Sequence, residues 1–435
     1  MEDWLGHRAR THAERPALIA RAGIVTYAEL DAGAARAARR LKALGVAPGA
    51  RVATTLPAGV AFAELLHALP RVGASLVPLN TRLTGAERRW QVEDCAAALT
   101  VEEPLDGEEA ELARVERPEE WALVYTSGTS GTPRGVSLSH ANFAASAFAS
   151  AWNLGVDPGD RWLCVLPLFH VGGLSILTRS AIYGTAAVIA PFEVEPVKEA
   201  LEDGEITLAS LVPTMLRRLA DAGLQTAPAL RAALLGGGPV PRDLLTWAAD
   251  RDLPVLQTYG MTETCSQVAT ATAVDAAARP LPGVELSISG EGELLVRGPM
   301  VSRGALAEDG WLHTGDRGRI HHDGSLTVEG RLKDVIVTGG ENVACAEVES
   351  VLEDHPAVVE AAVIGVPDTE WGEVVTAYVV LSNGVADADL IDHCRRQLAA
   401  YKAPRAIHTV DTLPRNAAGK LLRRELGREA RDGAL

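Results

Sequence analysis

The sequence predicts an α/β protein with a large N-terminal portion of βα-type sheets, a short β-rich subdomain, and a small α+β domain at the C-terminus. Three observations carry this expectation. Apolar, strand-like runs alternate with helix-period segments from the N-terminus to the region before Val284. From Val284 the texture changes to short alternating segments split by Gly and Asp, the pattern of antiparallel strands and hairpins. From Asp334 onward helical and strand patterns interleave again in a smaller unit.

Composition sets the outer limits. The 435 residues are 47% hydrophobic and 23% charged, ordinary globular usage and enough chain for two or three domains. A formal net charge of −16 argues against nonspecific nucleic-acid binding and against a polybasic membrane face. The five cysteines (Cys95, Cys164, Cys265, Cys345, Cys394) are scattered without a CxxC pair. That points away from zinc and from a disulfide framework, and toward a reducing cytoplasm. "MEDWLGHRAR" lacks the basic-then-apolar layout of a signal peptide, and no apolar run approaches the length of a membrane span.

The elements follow in order. In "TYAELDAGAARAARRLKALGV", Leu30, Ala34, Ala37, Ala38, Leu41 and Leu44 recur at helical spacing and Gly45 marks the stop. "RVATTL" reads as a strand, "GVAFAELLHALPRVGA" as a helix and "SLVPLN" as a strand. Residues 101–120 hold nine acids against two arginines, which reads as a solvated surface connection. "WALVY" is a buried strand running into "TSGTSGTPRGVSLSH", with a helix expected from Ser139. "RWLCVLPL", "AAVIA", "ITLASLVP", "LRAALLGGG" and "LPVLQTYG" continue the βα rhythm. "VELSISGEGELLVRGP" and "DGSLTVEGRLKDVIVTGG" are the hairpin-like segments. In the last part helices are expected at "CAEVESVLEDH" and "LIDHCRRQLAAY", and strands at "VVEAAVIGV" and "VVTAYVVL".

The Ser/Thr/Gly loop cannot build a core. Gly128, Gly131 and Gly135 permit backbone geometries that turn N–H groups to one concave side. Thr126, Ser127, Thr129, Ser130 and Thr132 add hydroxyls, and Arg134 adds a cation. Such a set suits a phosphate chain, although G-x-x-x-x-G-K-[ST] is absent. By composition alone a linker is the commoner reading. The position between a buried strand and a helix favours a ligand, because ligands gather at this end of a parallel sheet. Further segments stand out downstream. "PLFHVGG" puts His170 at the end of an apolar strand. "LLGGGPVP" has three glycines after another strand. "QTYGMTET" ends a third strand with Tyr259, Thr262 and Glu263. "HTGD" sets Asp316 behind a turn, "GRLKDVIVTGGENV" holds Arg331 and Lys333, and "LPRNAAGKLLRREL" places Lys420 in a basic tail. Alone, His170 reads as a structural histidine and Asp316 as a turn residue.

In this order the set resembles the acyl-adenylate-forming superfamily of acyl-CoA synthetases, luciferases and peptide-synthetase adenylation domains. The similarity runs over essentially the whole chain. It implies an N-terminal adenylate-forming domain, 1–332, with the ATP and acid sites. It also implies a mobile C-terminal domain, 333–435, carrying the catalytic lysine, with the hinge at Lys333. ATP, Mg²⁺ and CoA as co-substrate are expected. A carboxylate attacks the α-phosphate of ATP, and a thiol then displaces AMP from the acyl-adenylate. By the resemblance Thr126, Ser127, Gly128, Thr129, Ser130, Gly131 and Arg134 cradle the phosphates. Ser130 and Arg134 replace the commoner Thr and Lys and keep the donor chemistry. Tyr259 stacks on adenine, with Gly237 and Gly260 beside the nucleotide, and Thr262 touches the α-phosphate. Glu263 holds Mg²⁺, a hard cation that wants carboxylate oxygen. Asp316 accepts from the ribose hydroxyls, with Arg331 alongside. Lys420 supplies positive charge to the adenylation step. Rotation about Lys333 would replace it with the Gly339–Gly340 loop at the CoA tunnel.

"PLFHVGGLSILTRSAIYG", "LLGGGPVP", "QTYGMTETCSQV" and "LPRNAAGKLLRREL" are most similar to the o-succinylbenzoate–CoA ligases of menaquinone biosynthesis. That acid has two carboxylates. One is activated and the other needs a partner. Arg179 lies in an otherwise apolar helical stretch, where it either snorkels to the surface or offers its fork to a carboxylate. By the resemblance it sits in the acid pocket. His170 walls that pocket with Gln267, and Gly236 and Gly238 let a flat ring lie against backbone. Gly172 stands where relatives carry Ser. Two alternatives stay open: a CoA ligase for another aryl or dicarboxylic acid, and a stand-alone adenylation enzyme loading a carrier protein. A non-catalytic nucleotide binder fits less well, because Glu263, Asp316, Arg331 and Lys420 are all present. The expected partners are a small carboxylic acid, ATP and CoA, with no nucleic acid and no membrane insertion; a homo-oligomer is left open.

Overall fold

The computed structural model describes residues 3–426, apart from 117, 127–132, 239, 275, 333, 339–340, 369–370, 416–420 and 424. The helical period read near the N-terminus is realised in Tyr27–Ala43. Thr26 caps it: its side chain accepts from the Glu29 N–H while the Glu29 carboxylate takes the Thr26 N–H. Such reciprocal caps contribute about 1 kcal/mol. Leu30, Ala34, Ala37, Ala38 and Leu41 face the core, whereas Leu44 lies past the helix end and is 56% exposed.

Two units compose the chain. One comprises Met1–Val240, Leu245–Glu285 and Val296–Leu312; the other comprises Pro241–Leu244, Leu286–Leu295 and His313–Leu435.

The first unit contains a nine-stranded and a five-stranded sheet. In the larger sheet Arg161–Cys164, Leu208–Leu211, Ala232–Leu235 and Val255–Met261 lie side by side in parallel. Leu208–Leu211 and Ala232–Leu235 are fully buried and nearly all apolar, as a strand covered on both faces requires. Toward one edge Val255–Met261 turns back into Ser266–Thr270, and Arg279–Pro280 pairs outside it. The other edge is the hairpin Pro16–Ala20 and Gly23–Thr26, too short to stand out in the sequence. In the smaller sheet Leu99–Val101, Arg51–Thr54, Ser75–Pro78 and Glu120–Thr126 run parallel. Arg134–Ser139 then adds an antiparallel strand. The expected helix does begin after Ser139, which caps His140–Leu154. A strand that was not expected precedes it, seated through the buried Val136 and Leu138. The Ser/Thr/Gly segment therefore connects antiparallel neighbours.

The second unit carries the β-rich segment and the α+β part. Leu312–Ile320 and Leu326–Arg331 pair antiparallel within a four-stranded sheet. The last sheet orders Glu341–Ala344, Val335–Thr338, Gly372–Leu381 and Val358–Asp368, with Ala406–Thr409 parallel to Gly372–Leu381. Helices Cys345–Glu353 and Asp387–Gln397 cover it through Val348, Leu352, Leu390 and Cys394. The second of these starts earlier than its apolar pattern indicated. Asp387 and Asp389 occupy its first turn, where the helix dipole favours acids. No helix among the described residues is long and apolar enough to cross a membrane.

Candidate active site

In the nine-stranded sheet Arg161–Cys164, Leu208–Leu211, Ala232–Leu235 and Val255–Met261 are neighbouring parallel strands, and Gly236–Gly238, Tyr259, Thr262 and Glu263 lie at or just beyond the C-terminal ends of the last two. Leu235 is in register with Gln257, so Gly236 comes beside Thr258. A Cβ on Gly236 would stand 2.7 Å from the Thr258 carbonyl oxygen. Gly237 adopts φ +84°, the left-handed region that favours glycine, next to Val212 at the end of another strand. A Cβ on Gly238 would meet nothing within 4 Å, so this backbone borders open space of the kind a planar ligand needs.

The hairpin of Val255–Met261 and Ser266–Thr270 brings together Tyr259, Gly260, Thr262, Glu263 and Gln267. Its register shifts between Tyr259 and Gly260. At that bulge a Cβ on Gly260 would lie 1.7 Å from the Ser266 carbonyl oxygen, so no other residue fits without moving the backbone. Thr262–Thr264 forms a 3₁₀ turn, followed by Cys265 at φ +50° and Ser266 at φ +98°. Consecutive non-glycine residues in this region store strain, which recurs at functional sites. Several bonds hold the turn. Thr264 Oγ1 accepts from the Met261 N–H at 3.1 Å, and the Ser302 N–H donates to the Glu263 carbonyl at 2.8 Å. Ser302 Oγ donates to the Ser137 carbonyl at 2.7 Å. Ser302 thereby ties the Glu263 turn to the strand Arg134–Ser139 that follows the Ser/Thr/Gly segment. Nothing in the sequence marks it, because its partners are distant in the chain. Gln267 is 3% exposed; its Nε2 reaches Thr258 and Thr270 hydroxyls, and its Oε1 has no partner.

His170 does not end a strand. The strand stops at Cys164, the His170 N–H donates to the Pro167 carbonyl in a turn, and His170 becomes the N-cap residue of Val171–Tyr183. Burial and, secondarily, the nearby Arg82 charge lower its pKa, which keeps the imidazole neutral near pH 7. On the same helix Arg179 is 2% exposed. Its Nη2 donates to Ser146 Oγ at 3.0 Å, and its guanidinium lies 5.5 Å from the Trp162 ring centroid. Ser146 in turn donates to the Cys265 carbonyl at 2.7 Å, beside the strained turn. Arg179 Nε has no partner, and no described carboxylate pairs with the group. This is not a snorkelling arginine.

Thr126 and Arg134 face each other as the last cross-strand pair of their ribbon, with Thr126 Oγ1 3.4 Å from the Arg134 carbonyl. Arg134 Nη2 donates to the Gly304 carbonyl at 3.0 Å. Asn142 fixes the neighbouring chain by donating to the Pro299 and Val301 carbonyls, both at 2.9 Å.

In the second unit Asp316 and Arg331 are in register on adjacent strands, with Arg331 Nε 2.9 Å from Asp316 Oδ1. Asp316 is 5% exposed, and its N–H donates to Thr314 Oγ1. Glu293, which the sequence did not single out, holds this corner by accepting from the Gly315 N–H and bonding His313, both at 2.8 Å. Ser127, Gly128, Thr129, Ser130, Gly131, Lys333, Gly339, Gly340 and Lys420 lie outside the described residues.

The residues present fit the expected nucleotide and metal. Open backbone at Gly238, just beyond Ala232–Leu235, and a half-buried Tyr259 on the neighbouring strand Val255–Met261 lie near the C-terminal ends of adjacent strands. No group of three or more His, Cys, Asp or Glu side chains gathers among the described residues. A lone carboxylate at Glu263 suits Mg²⁺, which takes its other oxygens from phosphates and water.

A model of the AMP-binding enzyme family matches residues 5–121 and 112–306, and a model of the AMP-binding enzyme C-terminal domain matches 347–420. A 2-succinylbenzoate–CoA ligase of Bacillus licheniformis is 40% identical over 98% of this chain and 99% of its own length. Among solved structures, o-succinylbenzoate CoA synthetase from Bacillus subtilis, in complex with the acyl-adenylate intermediate OSB-AMP, is similar with TM-score 0.92 and 39% identity over 98% of each chain. The same protein in complex with ATP and magnesium ion gives TM-score 0.92 and 39% identity over 98% of this chain and 99% of that one. Matching domain models along most of its length, and relatives this similar throughout, mean that the chain belongs to the family of AMP-binding enzymes.

Proposed function

We propose that this chain is an ATP-dependent 2-succinylbenzoate–CoA ligase of menaquinone biosynthesis, acting in the cytoplasm. The observation that carries the choice of acid is Arg179, a buried guanidinium without a carboxylate partner among the described residues and with an unpaired Nε. A buried charge left unpaired is costly, and the second carboxylate of the diacid would supply its counter-charge. The relatives' names and the OSB-AMP complex support the same acid. The five buried, free cysteines support a reducing compartment.

In the first half-reaction a carboxylate oxygen of the acid attacks the α-phosphorus of ATP. A P–O bond forms as the bond to pyrophosphate breaks. Residues 126–134 and Thr262 hold the phosphates, Tyr259 and Gly237 the base, and Asp316 with Arg331 the ribose. Glu263 would hold Mg²⁺, which when bound offsets phosphate charge. Lys420 brings positive charge to the incoming carboxylate and the developing charge at phosphorus. His170, Gly236, Gly238 and Gln267 line the acid's ring. In the second half-reaction the CoA sulfur attacks the acyl carbon, the bond to AMP breaks, and the thiol proton is released. A hinge at Lys333 would withdraw Lys420 with the 333–435 domain and present Gly339–Gly340 to the pantetheine arm.

The test offers Mg-ATP and a panel of acids, follows pyrophosphate release, and then adds CoA or a carrier protein. 2-Succinylbenzoate should turn over and CoA should accept the acyl group. Turnover of benzoate or a fatty acid in its place would overturn the assignment, and transfer only to a carrier protein would favour the stand-alone adenylation enzyme.

A further inference from the structure

The segment that contains Lys420 is anchored on both flanks within the second unit. Upstream, Arg415 Nη2 donates to Glu360 Oε2 at 2.9 Å. Arg415 and Leu421 pair across an antiparallel bridge, and the Leu422 N–H donates to the Pro414 carbonyl at 2.8 Å. Downstream, Leu426 is 1% exposed in a cluster with Ala362, Ile364, Tyr378 and Leu413.

Between these anchors stands Arg423. Its Nη1 donates to Asp334 Oδ2 at 2.9 Å, and its Nη2 to both oxygens of Glu349 at 2.8 and 2.7 Å. Glu349 is 8% exposed on helix Cys345–Glu353, and its Oε1 also accepts from the Val363 N–H at 2.7 Å. One guanidinium thus engages two carboxylates from elements 89 and 74 residues away. Stability is a weak reason for such a group, since a buried ion pair is often no better than an apolar replacement. What a planar fork does well is fix position and direction. Sequence spacing shows what it fixes. Asp334 directly follows Lys333, and Arg423 comes three residues after Lys420.

We propose that Arg423 is a positioning residue for adenylation: held by Asp334 and Glu349, it locks the Lys420 segment to the first residue beyond the hinge, so that the lysine is carried by the rotation without lag. This rests on the reading of Lys420 as the adenylation lysine and Lys333 as the hinge. The lock serves the half-reaction that uses Lys420 and is idle in the other.

The test compares half-reactions in the full-length enzyme. Arg423→Gln should lower kcat for pyrophosphate release by on the order of tenfold to a hundredfold, the scale of a catalytic group slightly misplaced. The KM values for ATP and acid should stay within about threefold, because ground-state binding is untouched. Thioester formation from supplied acyl-adenylate and CoA should stay within about twofold of the parent on the same reasoning, which also reports that the variant folds. Arg423→Lys, keeping charge but not the fork, should recover part of the adenylation rate. In the double variant Lys420→Ala with Arg423→Gln, the residual adenylation rate should equal that of Lys420→Ala alone, because positioning acts only through the lysine. Equal losses in both half-reactions, a double variant slower than Lys420→Ala, or an unchanged adenylation rate in Arg423→Gln would each overturn the proposal. Full adenylation by Lys420→Ala would instead remove the reading on which it rests.

Discussion

Arg179 shows how much depends on a single side chain. The helical, apolar setting of "GGLSILTRSAIYG" posed a choice between a surface arginine and a carboxylate partner. Its 2% exposure removes the first. Arg179→Ala should raise the KM for the diacid on the order of a hundredfold, the scale of removing one partner from a buried charge pair. The KM for ATP should change far less. Equal changes would mean that Arg179 acts through Ser146 on the Cys265 turn. Lys420→Ala should cut adenylate formation to a small residual rate yet still convert a supplied acyl-adenylate to thioester; loss of both steps would contradict the division of labour between Lys420 and Gly339–Gly340. Arg179 and Lys420 stood out in the sequence because the expected chemistry resides in the side chain itself. Partners such as Ser146, Glu293 and Ser302 did not, since each is an ordinary polar residue until folding sets it against a distant backbone group.

At the scale of elements, the hairpin Val255–Met261 and Ser266–Thr270 shapes the site. Its bulge leaves no room at Gly260. Gly260→Ala should destabilise the protein by about 2–4 kcal/mol, as expected when backbone must shift in a packed site. Adenylation should fall with it, read from thermal melts and pyrophosphate release. An unaltered melting temperature would show that the bulge relaxes freely. Glycine-marked turns were legible here because the motif is local. The antiparallel strand Arg134–Ser139 was not, and neither was the position of His170 at a helix N-cap. A short run such as "RGVSLS" carries too few alternations to declare itself, and its pairing with Glu120–Thr126 is settled by burial of Val136 and Leu138.

For the molecule as a whole, one half-buried acid sets a pH dependence outside the site. Burial pushes the Glu353 carboxyl up to about 7, against the Ala361 N–H that lowers it. A folded pKa raised above the unfolded one gives stability that is present below the ordinary glutamate value and lost as pH rises through about 7. Glu353→Gln should therefore flatten stability between those two values and raise it at pH 8. The gain should be on the order of 1 kcal/mol after allowance for partial exposure. Denaturant melts at both ends of the range would show it; parallel curves for the two proteins would refute it.

By itself, the sequence determined the α/β class, the change to hairpins after Val284, the helical period realised in Tyr27–Ala43 and the order of the motifs from which nucleotide and acid sites are expected. Each of these resides in consecutive residues, where period, turn chemistry and side-chain type act locally. Only the tertiary structure decided that Asp316 lies 2.9 Å from Arg331, that Arg179 is buried without a carboxylate partner among the described residues, and that Arg423 grips an aspartate 89 residues before it. Those facts depend on register and packing between remote segments, which balance burial, hydrogen bonding and chain entropy over the whole fold.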